Sequence, residues 1–114
     1  MTALPDVVER RVLDHIFGGT AMAQYTSFKL ALGTSAWTDS EPGTEITTNT
    51  GTGNFERQSI AFTAASTSSG VTEVSNNAQI TFPSAPSDFG AVQHWAIYGT
   101  LGGATELVTH GQFA

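Results

Sequence analysis

The residues that could do chemistry in this chain fall into three groups, and spacing decides what each could do. His15, His94 and His110 have neither cysteine nor a carboxylate beside them at metal-ligand spacing. His94 and His110 fall on apolar stretches that read as strands and could be neighbours, which would bring two imidazoles together. The simpler expectation is a structural histidine with its nitrogens hydrogen-bonded. His15 sits near the end of a helical stretch, where the helix dipole favours a charged imidazole. Asp39, Glu41 and Glu45 share one polar loop. Glycoside hydrolysis needs two such acids, but without an aromatic groove to hold a sugar they read as solvated. Trp37 is the aromatic of that loop; it either stacks a sugar or anchors the loop to the core, and anchoring is the expectation. Gly51-Thr52-Gly53-Asn54 has the glycines of a phosphate cradle but lacks the lysine and the helix that must follow. No catalytic, metal or cofactor residue is assigned, and no cofactor is expected.

Composition narrows the classes further. The 114 residues contain no cysteine, which excludes disulfides, thiolate metal sites and thiol nucleophiles. This length makes one domain, residues 1–114, with stability drawn from packing. Ten acidic residues against four basic ones give a formal charge of −6, which repels phosphate backbones, so nucleic acid is not an expected partner. Only 12% of residues are charged, about half the share usual for a soluble domain. Threonine, serine, glycine and asparagine take their place, a surface suited to shielding by partners in a large assembly. No apolar run reaches membrane-spanning length and the N-terminus lacks the pattern of a signal peptide, so neither a membrane nor secretion is expected.

The elements that must position these residues begin with a helix over about 6–17. Asp6 stands as its cap with Glu9 three residues on. Val8, Val12, Leu13, Ile16 and Phe17 recur at three- and four-residue spacing, while Glu9, Arg10, Arg11 and Asp14 take the opposite side, and Gly18-Gly19 stops it. A helix of about three turns is marginal alone and must dock. Strand patterns follow. Thr26–Gly33 alternates Phe28, Leu30 and Leu32 with polar or small residues. Thr34–Asn54 loses periodicity and reads as a long surface loop, with a short extended piece at Glu45–Thr48. Phe55–Ala64 resumes with Ile60 and Phe62 inward, Ala65–Gly70 is a turn, and Val71–Ser75 is a short strand. Ala78–Phe82 alternates and is ended by Pro83. Ala91–Tyr98 is apolar on both parities, Trp95 and Ile97 against Val92, Ala96 and Tyr98, which predicts a central strand with Trp95, Ile97, Phe62 and Phe82 in the core. Gly99–Ala104 is a glycine-rich hairpin loop leading to a last strand, Thr105–Phe113. Short strands at regular intervals predict a mainly β fold, an antiparallel β-sandwich of jelly-roll or immunoglobulin-like type with one N-terminal amphipathic helix.

Three segments together, VLDHIFGGT (Val12–Thr20), NFERQSIAFTAAS (Asn54–Ser66) and NAQITFPSAPSDFGAVQHWAIYG (Asn77–Gly99), resemble the small tailed-bacteriophage proteins usually labelled tail fibre proteins. The resemblance runs in order through most of the chain. It implies a β-sandwich virion structural protein without enzymatic activity, present on the particle in many copies, either as head decoration or in the tail. Relatives carry a further glycine-rich turn and one or two strands after the block resembling Leu107–Phe113, so either this chain is a truncated version or its sandwich lacks the closing strand, which would leave the last strand as an open edge.

The expectation is therefore a non-enzymatic bacteriophage virion protein on the particle exterior, assembled in the host cytoplasm. It would stabilise the head or tail by contact with major capsid or tail proteins and with its own copies, as a homo-oligomer. Val8, Val12, Ile16, Phe17, Leu107 and Phe113 would carry docking and assembly, and Trp37, Asp39 and Glu41 an outward contact loop. The second reading is a receptor- or carbohydrate-binding module in which that loop meets a host surface glycan.

Overall fold

The computed structural model describes residues 4–39, 42–46, 57–82 and 91–113. Helix α1 (Asp6–Ile16) opens the chain. Pro5 occupies the cap position, and its carbonyl accepts from the N–H groups of Val8 (2.9 Å) and Glu9 (3.0 Å) with no side-chain cap. Asp6, expected as the cap, is the first helical residue, where with Glu9 it favours the positive end of the helix dipole. At the other end Gly18 N–H donates to the Asp14 carbonyl (2.9 Å), and Gly19, at φ +75°, lets Thr20 N–H return to that carbonyl (3.2 Å). Met22 N–H donates to His15 Nδ1 (3.0 Å). That nitrogen accepts, so the imidazole closes the turn after the helix.

Four strands make the main antiparallel sheet: β1 (Thr26–Gly33), β2 (Gln58–Ser59), β5 (His94–Leu101) and β6 (Ala104–Gln112), in the order β2-β1-β5-β6. Between them in sequence, β3 (Ser66–Ser68) and β4 (Val71–Glu73) pair only with each other. Strand β5 is interior, as its two-sided apolar pattern requires: Ala96 and Ile97, on opposite faces, are both buried. Its hairpin to β6 turns on Gly102 (φ +60°) and Gly103 (φ +85°), the paired positive φ values of a type I′ turn whose twist suits the strands. Register places Ala31, Gly33, His94, Ala96, Tyr98, Leu107 and His110 on one face and Leu30, Leu32, Trp95, Ile97 and Thr109 on the other. Gly99 is bracketed by two bulges: Ser27-Phe28 on β1, with Ser27 at φ +53°, and Val108 on β6. A Cβ there would meet Tyr25, Val108 and Phe28 at 3.1–3.2 Å, so glycine lets three bulky side chains close over the strand.

Several expectations require correction. The expected sandwich is not formed among the described residues: the fold is mainly β with antiparallel pairing and one helix, but in two separate sheets, neither closed. The reason lies in β3 and β4, whose residues are all exposed and mostly small and polar; a hairpin without an apolar face cannot pack as a second layer. Ser66–Ser68, read as part of a turn, is β3, and the turn itself is Ser69-Gly70, both at positive φ. The strand expected over Ala78–Phe82 is absent from the ladders; only Asn76 is bridged, to Phe62. The long strand expected over Phe55–Ala64 shrinks to Gln58–Ser59, with Phe55 outside the described residues. Last, the core centres on Ala31, Trp37 and Ala96 with Tyr98 and Leu107 against them, on the face opposite Trp95. Ile97 is buried as expected, but Trp95, Phe62 and Phe82 are only half-buried.

Candidate assembly surface

The loop after β1 folds back over the sheet because its backbone finds partners there. Thr34 N–H donates to the Thr44 carbonyl (3.0 Å), Ile46 N–H to the Leu32 carbonyl (2.9 Å), and Thr44 N–H to Ser35 Oγ (2.8 Å). Trp37 is thereby pressed onto the sheet, 3% exposed, and its Nε1–H donates to the Tyr98 hydroxyl (2.9 Å). Over the Tyr98 ring lies the Arg57 guanidinium, 3.7 Å from the centroid, held in a two-pronged pair with Glu45: Nε to Oε2 and Nη2 to Oε1, each 2.8 Å. The Glu45 hydrogen bonds hold the pKa of Arg57 above its ordinary value, against burial, which works the other way. Asp39, on the exposed rim of the loop, stands 3.5 Å from His110 Nε2, a buried nitrogen with no hydrogen-bond partner among the described residues.

These contacts change the reading of the loop. Trp37 is not an outward contact: its indole is spent on the core, since a buried aromatic with its N–H satisfied gains more there than in water. Asp39 remains outward, and Glu41 lies outside the described residues. The glycan-binding reading thus loses the one aromatic it relied on. His94 and His110 do share a face, as their strands suggested. Among the described residues no group of three or more His, Cys, Asp or Glu side chains is placed to hold a metal ion, and no helix is long and apolar enough to cross a membrane.

The helix side of the molecule behaves differently. Val8 is buried and Val12 half-buried, but Ile16 is 60% exposed and Phe17 82%, with Leu13 beside them at 56%. The helix docks at its first half and leaves its last turn open. Its anchor is polar: Arg11 Nη1 donates to the Tyr25 hydroxyl and to Glu106 Oε2 on β6, each 2.7 Å, and that Glu106 bond raises the arginine's pKa. Arg11, assigned to the solvent side on periodicity, therefore faces the sheet. Of the two β6 residues expected at an interface, Leu107 turns inward onto the core, whereas Phe113, just past the strand, is exposed. Among the described residues strand β6 is the outer strand of the sheet.

Sequence pattern gives Arg11, Arg57 and Tyr98 no site role, and Glu45 only that of a solvated loop acid. One signal was present: with four basic residues against ten acids, every arginine has a surplus of carboxylates to pair with. Which carboxylate each takes depends on contacts 12 and 95 residues apart in the chain.

The fold and its surface define a small β-rich module with one helix, which leaves several large apolar side chains exposed among the described residues. Residues 3–114 match the family described as Podophage GP4 fiber I protein gp80, and the chain belongs to that family. It is a phage tail fibre protein, a structural component of the virion. No curated protein and no solved structure matches it.

Proposed function

We propose that the chain is a non-enzymatic building unit of the fibre, joined to its own copies and to neighbouring tail proteins on the particle exterior through the open last turn of α1 and the outer edge of β6. One observation carries this reading. Among the described residues the exposed large apolar side chains, Leu4, Val7, Leu13, Ile16, Phe17, Val71, Val74 and Phe113, outnumber the seven buried apolar ones. A single chain gains about 1.5–3 kcal/mol for each large apolar side chain it covers, so leaving this many in water fits a protomer whose surface is completed by others. An outer strand offers the same completion by backbone pairing, which a neighbour could make along Leu107 to Phe113.

Sedimentation of the purified chain, with a binding assay on particles lacking it, tests the proposal. Self-association or particle binding is the expected result. A compact monomer that binds no such particle would overturn it.

A further inference from the structure

Beside the exposed helix end lies an open cleft of about 400 Å³, lined by His15, Met22, Ala23, Gln24, Tyr25 and Phe28. Its wall is mostly apolar, with two aromatic rings and a methionine, the combination that receives another aromatic side chain: rings favour edge and offset contacts, and the thioether adapts to fill gaps. Its rim carries neither lysine, arginine nor a carboxylate, so nothing there selects a charged ligand. The same chain holds out Phe17, 82% exposed, with Ile16 next to it. Phe17 is not among the residues that line the cleft of its own chain. The helix end is closed by Phe17 N–H to the Leu13 carbonyl (2.8 Å), Thr20 N–H to the Asp14 carbonyl and Met22 N–H to His15 Nδ1, and the Phe17 side chain stands out from it as an exposed knob.

We infer that Phe17 of one copy seats in the His15–Met22–Tyr25–Phe28 cleft of the next. Knob and hole are different residues, so the contact is either exchanged reciprocally by two copies about a twofold axis or repeated head-to-tail until a ring closes. Tyr25 then has two roles: its hydroxyl receives Arg11 of its own helix, and its ring forms part of the wall that receives the neighbour's phenyl. The inference rests on the proposed assembly through the helix end and names the partner there as a second copy.

Complementation tests it. F17D removes the knob and A23R blocks the hole. Both positions are exposed, so folding should survive, as circular dichroism and thermal melting will verify. In sedimentation velocity each variant alone should show at least a tenfold loss of self-association, whereas an equimolar mixture, which restores one intact knob facing one intact hole, should give a one-to-one heterodimer. If A23R associates like the parent, or the mixture stays monomeric, the knob-and-hole contact is wrong. A parent chain that is monomeric yet binds particles lacking it would also overturn this contact while leaving the fibre reading intact; a monomer that binds no particle overturns both.

Discussion

Trp37 lies between two glycines that exist for it. A Cβ on Gly33 would stand 2.5 Å from the ring and one on Gly43 3.0 Å from it, so neither position can carry a side chain unless the indole moves. Trp37→Ala should lower stability by about 3–5 kcal/mol, the usual cost of emptying an aromatic site. Gly33→Ala should cost about 1–3 kcal/mol by overpacking the same site. Urea unfolding followed by circular dichroism checks both, and a Gly33→Ala protein as stable as the parent would mean the indole is not seated on that backbone.

At the scale of elements, α1 is held by a guanidinium and a few apolar contacts in its first half. Arg11→Met should release the helix while the sheet persists, seen as helical signal lost at lower denaturant than the tryptophan fluorescence change; coincident transitions would argue that the helix and sheet unfold together whatever Arg11 does. Ile16→Asp, which would cost several kcal/mol in a docked helix, should here change folding of the isolated chain by no more than roughly 0.5 kcal/mol, because the side chain is already in water. The β5–β6 hairpin gives a sharper dependence. Gly102→Ala places an L-residue at φ +60° and should cost about 1–2 kcal/mol of stability by thermal or chemical unfolding.

Over the whole molecule, the described sheet is covered unevenly. One face carries the folded-back loop with Trp37, Glu45 and, stacked on Tyr98, Arg57. On the other, Ile97 is buried whereas Leu30, Leu32 and Trp95 are half-buried, and the last turn of α1 is open. On the assembly proposed above, neighbouring chains supplied at high local concentration cover this surface. The expected consequence is a Tm that rises when the chain is measured in assembled particles, since binding that favours only the folded state stabilises it by mass action. Equal Tm values free and assembled would mean that assembly covers little of this surface.

Local pattern by itself determined the helix to within a residue at its end, β1 residue for residue, the interior position of β5 and the existence of the final hairpin, because each is written as a run of apolar spacing closed by glycine; the hairpin's loop, expected over Gly99–Ala104, is only Gly102-Gly103, since Gly99–Leu101 continue β5. The resemblance of three segments to tail fibre proteins also lay in the residues themselves, and it named the family. The layer arrangement was not legible. Strands of small polar residues such as Ser66–Ser68 pair through backbone bonds that leave no hydrophobic period, and they supply no face for a second sheet. Nor could spacing say that Arg11 turns to Glu106 and Arg57 to Glu45, or that Trp37, expected to anchor its loop to the core, does so against Gly33. Those outcomes depend on which surfaces the chain brings together across tens of residues, and only the tertiary structure decides where a guanidinium meets its carboxylate or an indole its glycine.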